Sequence, residues 1–121
     1  MAKIMTVDDS NSLRKLVASA LQAAGHNVSE ADCGQTALSV AQTTSFDLVI
    51  SDLNMPGMDG LTLVSQLRKL PAYKGVPIIF LTTESDPGMK QQAKAAGATG
   101  WITKPFQPAV MLDAVSKLVM A

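Results

Sequence analysis

The chain has 121 residues, 47% of them hydrophobic and 17% charged, with ten basic side chains offset by ten acidic ones. That length can bury one core without a disulfide or structural metal, and the balanced charge excludes both a disordered chain and the basic footprint of a nucleic-acid-binding protein. The single cysteine, Cys33, excludes an intramolecular disulfide and a thiolate cage, fits a reducing compartment, and reads as a small buried apolar residue. No apolar run approaches the roughly 18 residues of a membrane span, and two acids, Asp8 and Asp9, arrive before a signal-peptide core could develop. A cytoplasmic location without membrane insertion is expected.

Short apolar runs alternate with helical patterns. Ile4 to Val7 predicts a strand, and Leu13, Leu16, Val17, Ala20 and Leu21 predict one buried helix face that stops at Gly25. Asn27 to Ala31 is a weaker strand. Gln35 to Thr44 predicts a helix with Ala37, Leu38 and Ala41 on its small apolar face, and Leu48 to Ser51 a third strand. Leu61, Val64, Leu67 and Leu70 recur at helical spacing until Pro71 and Gly75 break the pattern. The run from Pro77 to Thr82 reads as a strand buried on both faces. From Asp86 to Gly97 only Met89, Ala93 and Ala96 can anchor a helix, which predicts the least firmly held one. Gly100 to Thr103 is a short strand, and Pro108 starts a final helix carrying Met111, Leu112, Val115, Leu118 and Val119.

Five strands alternating with five helices imply a doubly wound α/β domain with a parallel sheet, because each parallel crossover is right-handed and needs a covering helix. In such sheets ligands bind beyond the carboxyl ends of the strands. Those ends carry Asp8-Asp9, Asp52, Thr82-Thr83 and Lys104-Pro105. Three carboxylates at one sheet edge raise one another's pKa unless a cation neutralises them. Mg2+ suits the incomplete oxygen cage, since it keeps waters and is held by one or two carboxylates plus phosphate oxygens. With Lys104 as a mobile cation and Thr82 as a hydroxyl donor, these groups stabilise a transferring phosphoryl unit.

This ordered set resembles the response-regulator receiver domain, in the stand-alone form used in chemotaxis, and the resemblance covers the whole chain as a single domain without an output domain. It implies the flavodoxin-like strand order 2-1-3-4-5 and a signalling phosphoacceptor in place of an enzyme acting on external substrates. It implies Asp52 as phosphoacceptor, with Asp9 and Asp52 ligating Mg2+ directly, Asp8 acting mainly through a water, and the Asn54 main-chain carbonyl completing the protein ligands. Thr82 and Lys104 would bind the phosphoryl group, and the bond before Pro105 would be cis. Asn54 and Glu84 match the family's tuning positions for phosphate lifetime. Trp101 stands where the family often has Tyr or Phe; its bulk and N–H donor argue against a simple inward flip, and an anchor in the final strand is the alternative. A sensor histidine kinase or histidine phosphotransfer protein would be the donor, and a monomeric regulator would signal to a protein such as a motor component.

Singly, Asp52 and the Asp8-Asp9 pair could cap turns or helices. Asp47, Asp59, Asp86 and Asp113 read as turn, cap or solvated residues, and His26 as an ordinary exposed imidazole. Most methionines read as core, with Met55 and Met58 as exceptions able to meet partners beside the site. A phosphate sink or relay intermediate is the alternative output. A metal-dependent phosphohydrolase is the rival class, disfavoured because Asn54 stands where such enzymes place a second Asp, and a binding module without phosphorylation is the last.

Overall fold

The computed structural model describes residues 2–83, 86–105 and 107–119. Strands β1 (Lys3–Val7), β2 (Asn27–Ala31), β3 (Leu48–Ser51), β4 (Ile78–Thr82) and β5 (Gly100–Thr103) alternate with helices α1 (Asn11–Ala23), α2 (Gly34–Thr43), α3 (Gly60–Arg68), α4 (Pro87–Ala96) and α5 (Pro108–Val119). Every pairing is parallel, in the order β2-β1-β3-β4-β5. This is the flavodoxin-like order that the resemblance implied. The order reverses between β1 and β3, so the loops leaving these neighbours diverge to opposite sides and open a crevice.

Strand alternation sorts the apolar side chains into two cores. Ile4, Leu48, Ile50, Ile79 and Leu81 meet Val17 and Leu21 of α1 and Met111 and Val115 of α5 on one face. Met5, Val7, Val49, Ile78 and Phe80 meet residues of α2, α3 and α4 on the other, among them Ala37, Leu63, Leu67 and Ala93. The central strands β3 and β4 are buried at every position, whereas edge strand β2 is largely half-exposed. Each fully buried Leu, Ile or Phe contributes about 1.5–3 kcal/mol relative to exposure, so these two layers dominate the stability.

Several local expectations change in the folded chain. Leu16, expected on the inner face of α1, is 58% exposed, and the buried stripe is Arg14, Val17, Ala18 and Leu21. The true spacing of three, four and seven residues starts one step later than an all-apolar reading assumes. Pro71 does not simply break the chain but starts a 3-10 turn, Pro71–Tyr73, whose Tyr73 is fully buried and donates its hydroxyl to the Thr44 carbonyl at 2.6 Å. Met55 is buried in the core shared with α2, α3 and α4, not displayed to partners, and half-buried Met58 packs over Gly34. His26 is half-buried, its Nδ1 accepting from the Ala2 amide at 3.1 Å. Cys33 is half-buried at the N-cap of α2, where its sulfur accepts from the Thr36 amide. Asp59 caps α3 through the Thr62 amide, Asp47 accepts from the Lys3 amide, and Asp113 pairs with Lys117 on the surface.

Helix α4 buries only Ala93, with Met89 and Ala96 half-buried, in keeping with its few anchors. Its C-terminal end is nevertheless tied down. Arg68 of α3 donates from Nε and Nη2 to the Gly97 carbonyl at 3.1 and 2.7 Å, and from Nη1 to the carbonyls of Val76, at 2.7 Å, and Tyr73.

Candidate functional site

Strand register brings the carboxylates together. Val7 lies opposite Ser51 in the β1–β3 pair, so the next residues, Asp8 and Asp52, leave adjacent strands at one level. The Asp52 amide donates to the Val7 carbonyl at 2.9 Å and its Oδ1 accepts from the Leu53 amide at 2.8 Å. Asp8 donates its amide to the Ala31 carbonyl at 3.1 Å and accepts from the Ser10 amide through Oδ1 at 2.9 Å. Both are buried, at 4% exposure for Asp8 and 8% for Asp52, whereas Asp9 is exposed. One oxygen from each of Asp8, Asp9 and Asp52 falls within 4.8 Å of the others.

A cation comes from the far side of the crevice. Thr82 pairs with Thr103 in the β4–β5 register, and the Lys104 amide donates to the Thr82 carbonyl at 2.7 Å. That pairing delivers the Lys104 Nζ to 3.5 Å from Asp8 Oδ2 and 3.6 Å from Asp52 Oδ2, with its side chain only 15% exposed. The Lys104–Pro105 bond is cis. Burial pushes the Asp8 carboxyl above its ordinary 3.8; the Ser10 amide and Lys104 pull it back, while Asp52 and Asp9 push it further up. Hard oxygen donors with excess negative charge, beside one lysine, suit a small divalent cation and a phosphoryl group better than a softer metal.

Gly60 makes the acceptor's loop possible. A Cβ there would lie 2.5 Å from the Asp52 carbonyl oxygen, 2.6 Å from Cε1 of Phe80 and 2.9 Å from Cα of Leu53. Only a residue without a side chain lets α3 start this close beneath the acceptor.

The model of the response regulator receiver domain matches residues 4–116. The chain belongs to this family. Among curated relatives of this receiver, the Vibrio cholerae chemotaxis protein CheY-3 is 37% identical over 96% of the chain and 90% of its own length. The Pseudomonas aeruginosa chemotaxis protein CheY is 34% identical over 96% and 94%. The solved structure of Vibrio cholerae CheY4 superposes with a TM-score of 0.94 at 47% identity, covering 98% of both chains.

Around the carboxylate–lysine centre, the receiver's Thr82 is fully buried at the end of β4 and makes an interaction of its own. Asn54 and Pro105 are exposed, and Glu84 lies outside the described residues. Trp101 is half-buried; its ring meets Phe80 edge-to-face, with centroids 6.0 Å apart at 71°, and Lys90 Nζ stands 5.9 Å from its centroid. Strand alternation puts Trp101, Phe80 and Thr82 on one side of the sheet. Arg14 went unnoticed in the sequence. Its guanidinium donates to the Asp8 main-chain carbonyl at 2.8 Å, and its place three and seven residues before Val17 and Leu21 was the available signal.

Proposed function

We propose that Asp52 is the phosphoacceptor of this receiver, and the observation that carries the reading is the Lys104 ammonium lying between Asp8 and Asp52 where β1, β3 and β5 end. The carboxylates of Asp9 and Asp52 and the Asn54 main-chain carbonyl would hold Mg2+, with Asp8 acting mainly through a water. Bound there, the ion would neutralise phosphoryl oxygens. Three hard oxygens within 4.8 Å of one another fit that role. An Asp52 carboxylate oxygen attacks the phosphorus of a phosphohistidine; the P–O bond forms as the P–N bond breaks, and the histidine leaves as neutral imidazole, its departing nitrogen taking a proton from water. Water later attacks the same phosphorus, releasing phosphate and restoring the carboxylate. Lys104 shifts from the carboxylates to the incoming phosphoryl group, and Thr82 donates its hydroxyl to it.

The donor is a sensor histidine kinase or a histidine phosphotransfer protein, and the output is a protein partner, in chemotaxis by the likeness to the CheY proteins. The likeness over 90% and 94% of the lengths of those relatives supports a receiver of the CheY kind. Among the described residues no helix is long and apolar enough to cross a membrane. Asn54 and Glu84 tune phosphate lifetime. The new bonds at Thr82 and Lys104 bias α4, which has few anchors, and Trp101, too bulky for a simple inward flip, anchors β5 against Phe80. A phosphate sink or relay intermediate would use the same chemistry. The phosphohydrolase alternative has no acid at position 54.

Labelling with a small acyl phosphate and Mg2+ tests the site. The unmodified chain is expected to take up one phosphoryl group, and Asp52→Asn none; equal labelling of the two would sink the assignment. Steady turnover of external phosphomonoesters would instead revive the hydrolase.

A further inference from the structure

Helix α1 presents Arg14, Val17, Ala18 and Leu21 to the protein interior. An aliphatic residue at the first position would complete that stripe, yet the chain places a cation there with 8% exposure. Burying a charge is unfavourable unless it is paired and hydrogen-bonded. Each guanidinium nitrogen is engaged: Nε with Glu30 of β2 at 3.0 Å, Nη1 with the Asp8 carbonyl at 2.8 Å and Nη2 with Asn11 Oδ1 at 2.5 Å. Since an apolar residue would fill the stripe at no such cost, the use of this cation lies in what it holds.

What it holds is the turn of chain that leaves β1. The sheet register ends at Val7, opposite Ala31 and Ser51, so the Asp8 carbonyl lies beyond the last ladder pair and takes its partner from Arg14. That carbonyl belongs to the peptide linking Asp8 to Asp9. Asp9 is exposed, and among the described residues no side-chain hydrogen bond restrains its carboxylate, so what the fold fixes is the main chain that carries it, beginning with that peptide. We infer that Arg14 is a positioning residue of the Mg2+ site, fixing the Asp8–Asp9 peptide and thereby the aim of Asp9 without touching the metal or the phosphoryl group. Glu30 braces the guanidinium from the edge strand and is shared with Lys15 at 3.4 Å. The inference rests on the reading above that Asp8, Asp9 and Asp52 hold Mg2+.

The test is the Mg2+ dissociation constant of the full chain, measured by calorimetric titration for the unmodified protein, Arg14→Met and Arg14→Leu. All three are measured in sucrose, which favours the folded state so that a loss of stability does not decide the result. Outer partners of metal ligands typically govern affinity by about 10–100-fold, and both variants are expected to bind Mg2+ about tenfold more weakly. A merely structural role lowers the urea midpoint equally with and without Mg2+ and leaves the constant unchanged; a change of less than threefold in both variants overturns the inference. If the unmodified chain itself binds no Mg2+ at millimolar concentration, the metal site fails and takes this inference with it. Tight binding by all three chains removes only the role of Arg14.

Discussion

Gly60→Ala places a methyl group directly under the phosphoacceptor. Its carbon would sit 2.5 Å from the Asp52 carbonyl oxygen and 2.6 Å from Phe80 Cε1, where ordinary contact is 3.4–4 Å, and 2.9 Å from Leu53 Cα. None of the three can yield cheaply. The Asp52 carbonyl accepts from Ser51 Oγ at 2.8 Å, the Asp52 amide is bound to Val7, and the Leu53 carbonyl accepts from the Gly60 amide at 2.8 Å. Phe80 is fully buried with Trp101 on its ring. Overpacking a fixed core costs about 1–3 kcal/mol, and the better helix propensity of Ala returns at most about 1 kcal/mol. A net loss of about 2 kcal/mol is expected, read as a lower midpoint in urea unfolding. Because the displaced atoms belong to the acceptor's own peptide, labelling of Asp52 by a small acyl phosphate should slow as well. Gly88→Ala in α4 is the matched control: among the described residues its methyl carbon meets only the exposed Asp86 carboxylate, at 3.2 Å, a side-chain tip and not fixed backbone. That variant should be neutral or up to about 1 kcal/mol more stable. Equal midpoints for the two alanine variants would refute the steric reasoning at Gly60.

Asp8 has its carboxyl pushed up by burial, so it stabilises the fold below its unfolded value of 3.8 and that contribution is lost as pH rises through the higher folded value. In the absence of Mg2+, Asp8→Asn should therefore flatten the fall of stability with rising pH and stabilise the chain at neutral pH by about 0.5–2 kcal/mol, measured by urea unfolding at several pH values. Tyr73→Phe leaves the Thr44 carbonyl without its 2.6 Å partner and should cost about 1–2 kcal/mol. Burial also raises the Tyr73 phenol above 10.0, so its contribution is present below that pH and lost as pH climbs through the folded value; the phenylalanine variant should lack this alkaline step. Arg68→Met removes charge-assisted bonds to the Gly97 and Val76 carbonyls, with an expected loss of about 2 kcal/mol and faster amide exchange across residues 97–99; unchanged exchange there would show that the end of α4 is held by other means. Leu16→Lys, on the exposed side of α1, should change stability by no more than about 0.5 kcal/mol.

Sequence by itself determined the alternation of strands and helices, because β3 and β4 are short continuous apolar runs that nothing but a doubly covered sheet can bury. It also named the polar tips, since a carboxylate or lysine directly after such a run stands out against it. The small buried face of α4 was legible from its scarcity of large apolar residues, whereas the tie from Arg68 to Gly97 was not. Tertiary structure alone decided how those tips meet. The Val7–Ser51 and Thr82–Thr103 registers set which residues reach one level, and the Lys104 ammonium arrives between Asp8 and Asp52 only because β5 lies beside β4. Arg14 and Leu16 show why periodicity misplaced part of α1: hydropathy assigns a cation to solvent, whereas the fold supplies Glu30, Asn11 and the Asp8 carbonyl from segments a local pattern cannot see. Met55 and Tyr73 were misplaced or overlooked for the same reason, since burial in a loop depends on what the neighbouring helices bring to cover it.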